Sequence, residues 1–160
     1  MSTVDAPLPT APIVPGATPR LLLVRAPYYR EVVDGMTDGA VRILCDAGAT
    51  HDVLNVAGAF ELAQAIRLVL RGSNVFDGFI ALGCIVRGET DHYDHICRES
   101  MAGLMQVALQ YGLAMGTGLL TVHDIGQAVA RSGVDGHNKG AEAASAALRQ
   151  IAIARQMGAA

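Results

Sequence analysis

Tryptophan is absent from the 160 residues, and there are only three phenylalanines and four tyrosines. The core must therefore be built from Ala, Val, Leu and Ile. With 51% apolar and 17% charged residues, the composition fits one globular domain. Proline is missing after residue 27: all six are Pro7, Pro9, Pro12, Pro15, Pro19 and Pro27. Positive charge is scarce too. Twelve Lys and Arg face fifteen Asp and Glu, a net charge of −3, which leaves no basic field for nucleic acid. The three cysteines, Cys45, Cys84 and Cys97, form no C-x-x-C pair and fit free thiols in a reducing compartment. No apolar run reaches the ~18 residues of a membrane span, and the N-terminus lacks the basic-then-apolar order of a signal peptide. The expected setting is the cytoplasm, with no membrane or nucleic-acid partner.

Turning to what is present, residues 1–19 are expected as a flexible, proline-rich tail, because they cannot bury much or sustain a hydrogen-bond ladder. A single domain follows over 20–160, without internal repeats. Short apolar runs alternate with helical stripes. Strands are expected at 21–24, 51–56, 76–86 and 115–122, and helices at 30–46, 60–70, about 93–111 and about 140–156. Asp124, three residues before Gln127, marks another helix start. Four strand–helix alternations imply an α/β layered fold with a parallel sheet and right-handed crossovers. The 101–109 segment, M-A-G-L-M-Q-V-A-L, is apolar almost all round. A helix of that kind packs on the sheet and on another subunit, unless neighbours in its own chain cover it.

One stretch stands apart. R-G-E-T-D-H-Y-D-H-I, at 87–96, follows the apolar run F-I-A-L-G-C-I-V, and in such sheets ligands bind beyond the carboxyl ends of strands. A metal site would draw on His92 and His95, but no third ligand has a recognisable spacing and H-E-x-x-H is absent. A capped helix start, with Asp91 or Thr90 as cap, explains most of the charges. It leaves Arg87, Gly88 and His92 in the strand-to-helix turn unexplained. Gly88 lets backbone approach a ligand, N–H groups of 89–92 would face an anion, and a histidine beside them could move protons. Arg131 and Lys139 are the candidate fixed cations. Each alone is more often a solvated surface charge or a charge at a helix C-terminus. The loop before Lys139 is no Walker loop, and G-T-G at 116–118 is too short for a dinucleotide fingerprint.

The motifs together resemble the lumazine synthase family. V-A-G-A-F-E-L (56–62) is similar to that family's V-P-G-[AS]-[FY]-E-[IL]. L-G-C-I-V-R-G-E-T-D-H-Y-D (82–94) is similar to its most characteristic segment. A-V-A-R-S-G (128–133) and N-K-G-A-E-A-A (138–144) match later motifs. The resemblance implies a three-layer αβα sandwich with a four-stranded parallel sheet in the flavodoxin-like order 2-1-3-4. It implies a transferase that condenses 5-amino-6-(D-ribitylamino)uracil with 3,4-dihydroxy-2-butanone 4-phosphate. The products are 6,7-dimethyl-8-ribityllumazine, phosphate and water, and neither cofactor nor metal is implied. His92 becomes the acid–base; Gly88, Glu89, Thr90 and Arg131 hold the phosphate. Tyr28, Ala59, Phe60, Glu61, Cys84, Ile85, Val86 and Lys139 serve the pyrimidine and its ribityl chain, with Thr117 reaching in from a neighbouring subunit. A pentamer with sites between subunits is implied; an icosahedral shell and riboflavin synthase as a partner stay open. The short 132–138 connection favours a shell.

The sequence also departs from the family pattern. Ala57 and Ala63 stand where prolines are common. R-A-P-Y-Y replaces an arginine–aromatic–asparagine turn, and Thr117 replaces Phe or Asn. Those changed pocket positions motivate an alternative, a non-catalytic riboflavin or lumazine carrier on the same scaffold. A flavodoxin-like electron carrier lacks its phosphate loop in this sequence, and a metal-dependent hydrolase would need bound metal.

Overall fold

The computed structural model describes residues 7–134 and 137–159. Its elements run β1 (Arg20–Ala26), α1 (Arg30–Asp46), β2 (Thr50–Asn55), α2 (Glu61–Val69), β3 (Gly78–Val86), α3 (His92–Tyr111), β4 (Ala114–Val122), α4 (Ile125–Val129) and α5 (Lys139–Gln156). All strand pairs are parallel, in the order β2-β1-β3-β4. The three-layer sandwich inferred from the family resemblance is thus present.

Burial on both faces explains the continuous apolar strands. In β1, Leu21 and Leu23 join one core cluster, with Met36 and Leu44 of α1 and Leu148 of α5. Leu22 and Val24 join the other, with Leu62 and Ile66 of α2 and Leu104 and Val107 of α3. Successive side chains point to opposite faces, so the stretch Leu21–Val24, covered on both sides, has no polar position.

Helix α5 lies unusually close to its neighbours. A Cβ on Gly116 would collide with the Ala143 carbonyl, and one on Gly118 would sit 3.1 Å from the Lys139 carbonyl. A Cβ on Gly140 would likewise meet the Met36 carbonyl of α1. The G-T-G of β4 is therefore a landing strip for a helix. The inner face of α5 is correspondingly small, with Ala141, Ala143, Ala144 and Ala147 buried. Ala154, expected on this face, is only half-buried.

The N-terminal segment departs from the expected loose tail over residues 7–19. Ser145 of α5 donates to the Thr10 carbonyl at 2.7 Å. Arg155 donates to the carbonyls of Pro15 and Ala17 at 2.8 and 2.6 Å and pairs with Asp77 at 2.9 Å. Ala11 and Val14 pack against the α1–α5 core cluster. Prolines forbid a ladder, but the segment's carbonyls still accept, and side-chain donors from α5 take that role. Residues 1–6 lie outside the described residues, as do Asp135 and Gly136 of the 132–138 connection.

Because Gly140 sits against backbone, Gly140→Ala should destabilise by about 1–3 kcal/mol through overpacking. Urea unfolding measures this; an unchanged midpoint would show that α5 has room to move.

Candidate active site

Three loops meet beyond the carboxyl ends of β1, β2 and β3. The crevice opens between β1 and β3, where the crossovers turn in opposite directions and where Ala26 pairs with Gly83. From β1 come Pro27, Tyr28 and Tyr29. The Tyr28 amide donates to the Ala26 carbonyl at 2.9 Å, which turns the chain sharply. The Tyr28 ring is 77% exposed and meets Tyr29 edge-on, with centroids 5.2 Å apart. An exposed aromatic at a crevice mouth is a platform for a planar ring.

From β2 comes the 56–60 loop. The Val56 amide donates to the Arg25 carbonyl at 2.8 Å, holding the loop beside β1. Glu61 opens α2, and its carboxylate lies back over Gly58, 3.2 Å from where a Cβ would stand. Ala59 packs on the α2–α3 core cluster, whereas Phe60 is 49% exposed. The loop thus presents one aromatic and one carboxylate.

From β3 come the strand end and the polar stretch. Cys84 is buried, and Ile85 and Val86 are partly so. Burial pushes the Cys84 thiol up to about 11. It is therefore a neutral, apolar wall and no nucleophile at neutral pH. Tyr29 is raised as well, by its own burial, then by Cys84 and Tyr28 nearby. Arg87 continues the ladder, donating to the Val122 carbonyl at 2.9 Å. Its guanidinium pairs with Asp94 at 2.6 Å and lies 4.7 Å above the Tyr93 ring. Arg87 thus braces the first turn of α3.

The capping explanation holds only in part: Asp94 stands in the first turn of α3, where the helix dipole favours it, but the side-chain cap is missing. Asp91 occupies the N-cap of α3, yet its side chain makes no cap hydrogen bond. The Asp94 amide turns back to the Asp91 carbonyl at 3.1 Å, and the N–H groups before it have no side-chain cap, beside exposed Gly88, Glu89, Thr90 and His92. The space a Cβ would fill at Gly88 is empty, so packing within the chain does not demand glycine there. His95 is exposed on the same turn. Among the described residues, no three His, Cys, Asp or Glu side chains gather to hold a metal ion.

The remaining candidates form a second cluster. Thr117, Arg131 and Lys139 line a depression of about 420 Å³ along β4, the edge strand. None of Gly88, Glu89, Thr90 or His92 borders it. Arg131 is held at 2.8 Å by the Gln127 carbonyl, and its own carbonyl accepts from the Lys139 amide at 2.9 Å. The Lys139 ammonium contacts both Glu142 oxygens, at 2.6 and 2.7 Å. The expected Asp124 cap is present, with its carboxylate accepting from the Gln127 amide at 3.0 Å. Sequence reasoning missed Tyr29 and Asn138. Asn directly before the helical K-G-A-E-A-A stretch was the available signal for the second.

Thr117 also borders an apolar groove of about 510 Å³, with Met101, Leu104, Met105 and Leu109 of α3 and Gln150 of α5. Leu104 and Val107 face the sheet; Met105 and Leu109 are 61% and 76% exposed. No helix among the described residues is long and apolar enough to cross a membrane.

A family model described as 6,7-dimethyl-8-ribityllumazine synthase matches residues 18–155. Over 145 residues the chain is 42% identical to the 6,7-dimethyl-8-ribityllumazine synthase of Paramagnetospirillum magneticum, covering 87% of this chain and 97% of that one. It is 43% identical over 143 residues to 6,7-dimethyl-8-ribityllumazine synthase 1 of Rhizobium meliloti, covering 87% and 94%. With the corresponding protein of Nitrobacter winogradskyi it shares 40% over 156 residues, covering 95% and 94%.

The thiols should separate by environment. Exposed Cys45 should react readily with iodoacetamide at pH 8, while Cys84 stays unmodified until the chain unfolds. Peptide mass spectrometry reads both; rapid labelling of Cys84 would contradict a buried, neutral thiol.

Proposed function

The chain belongs to the 6,7-dimethyl-8-ribityllumazine synthase family, and we propose that it condenses 5-amino-6-(D-ribitylamino)uracil with 3,4-dihydroxy-2-butanone 4-phosphate. The products are 6,7-dimethyl-8-ribityllumazine, phosphate and water. The observation that carries this reading is the start of α3. It offers uncapped N–H groups, an open glycine and a histidine in one turn at a sheet crevice.

Each part has a chemical task. The pyrimidine stacks on Tyr28, with Cys84, Ile85 and Val86 as its wall. Glu61 accepts ribityl hydroxyls, and Ala59 and Phe60 frame that chain. The amine is already nucleophilic, so holding two reactants in register supplies much of the acceleration. It attacks the ketone, and His92 moves the protons that turn the carbinolamine into an imine and water. Phosphate then leaves, its charge met by the N–H groups of Gly88, Glu89 and Thr90, the Thr90 hydroxyl and the Arg131 guanidinium. The enol left by phosphate loss becomes a ketone, and the second amine attacks it and closes the ring with loss of a second water. Lys139 serves the pyrimidine side once drawn from Glu142.

Arg131, Lys139 and Thr117 line a depression along β4 that Gly88, Glu89, Thr90 and His92 do not border. We infer that the complete site joins the α3 turn of one subunit to the β4 edge of the next. The exposed apolar face of α3 supports this, since Thr117 borders both that groove and the Arg131 depression. A cyclic pentamer in the cytoplasm is the assembly we propose. An icosahedral shell and capture of riboflavin synthase would be elaborations of it.

Lumazine formation, followed by absorbance against an enzyme-free control, tests the activity. The chain should accelerate the reaction, and a rate equal to the control would overturn the proposal. His92→Ala should lower kcat by about 10²-fold, with both KM values nearly kept. Arg131→Ala should raise KM for the butanone phosphate alone. A rise confined to the pyrimidine would put Arg131 at the wrong substrate.

A further inference from the structure

We propose that Asn138 is a positioning residue for the phosphate-binding arginine; this rests on the synthase reading above. Its side chain is almost wholly buried, at 2% exposure, and touches three parts of the fold at once. Oδ1 accepts from the amides of Gly140 and Ala141, at 2.9 and 3.1 Å, and so caps α5. Nδ2 donates to the carbonyls of Ser132 and Gly133, at 2.9 and 3.0 Å, and to that of Gly35 on α1, at 2.9 Å. Two N–H groups serve three carbonyls, so one is shared. The amide orientation is fixed, because a flip would set NH₂ against two N–H donors and an oxygen against three carbonyls.

The side chain lies in a notch cut for it. A Cβ on Gly39 of α1 would collide with the Asn138 carboxamide, and one on Gly35 would stand 2.5 Å from the Ser132 carbonyl. The amide therefore pins the turn directly after Arg131 to α1 and to the first turn of α5. Next to it in sequence, Lys139 donates its amide to the Arg131 carbonyl at 2.9 Å. Arg131 and Lys139 lie well beyond the end of β4 at Val122, yet both reach the β4 edge. Asn138 is what converts this loop into a rigid mount. It touches no substrate itself. A general capping role would call only for the oxygen; the two bonds from Nδ2 to Ser132 and Gly133 hold the arginine turn, and the third ties it to Gly35 of α1.

The discriminating variant is Asn138→Asp, which keeps the capping oxygen and replaces the donor with an oxygen facing three carbonyls. Asn138→Ser, a second capping residue, serves if the aspartate fails to fold. We expect KM for the butanone phosphate to rise about tenfold, with pyrimidine KM within about twofold. The dissociation constant of inorganic phosphate, measured by calorimetry on the full chain, should rise in parallel. Added to Arg131→Ala, Asn138→Asp should weaken phosphate no further, as expected for residues acting in series. A lower melting temperature with phosphate KM and affinity unchanged would overturn the proposal, as would independent, additive losses or a wild-type chain that binds no phosphate. Should the wild type bind phosphate but make no lumazine, loss of phosphate in the variant would still support Asn138 while the synthase reading fell.

Discussion

The close seat of α5 governs the rest of the structure. Where α5 crosses β4 and α1, backbone meets backbone, because Gly116, Gly118 and Gly140 carry no side chain to hold the elements apart. That approach buries a face rich in alanine, with Leu148 and Ile151 among the small residues, which compensates for a core without tryptophan. Small residues bury little area each, so close packing over many contacts must replace bulk. The same seat brings Lys139 and the turn after Arg131 to the edge of β4. Packing and chemistry thus share one constraint at the start of α5.

The fold was largely legible in the sequence because both of its periodicities are clean. L-L-L-V in β1 is apolar at every position since α1 and α5 cover one face and α2 and α3 the other. Strand limits shifted by only a residue or two, at ends where ladder bonds give way to loops. The N-terminal segment was harder. Its prolines exclude a ladder but say nothing about Ser145 and Arg155, more than a hundred residues away, which hold its carbonyls. Long-range side-chain-to-backbone bonds leave no periodic trace.

The site was legible in its parts and hidden in its arrangement. The polar stretch after β3 stood out against an apolar strand, and its placement at a crevice followed from topology. Two details changed its meaning. Arg87 is committed to Asp94 and Tyr93, and Asp91 leaves the helix start uncapped. Asn138 escaped notice because one Asn before a helix reads as an ordinary cap, whereas its amide nitrogen also fastens a distant turn. Spacing alone could not show that Arg131 and Thr117 line a depression that Gly88 and His92 do not border. Thr117 borders both that depression and the groove along the apolar face of α3, which is the link between the two on which the proposed shared site rests. If the second half of the site comes from a neighbour, exposure of Met105 and Leu109 in one chain is a condition of function.

The central claim is that one subunit supplies the proton-moving turn and the next supplies the cation. Subunit complementation tests it most directly. Chains carrying His92→Ala and chains carrying Arg131→Ala would be unfolded, mixed in equal amounts and refolded together, then assayed for lumazine formation. Random assembly should leave about a quarter of the sites with both native halves, restoring activity well above either variant refolded alone. Activity of the mixed protein no higher than the average of the two variants would place both groups in one subunit and contradict the shared site.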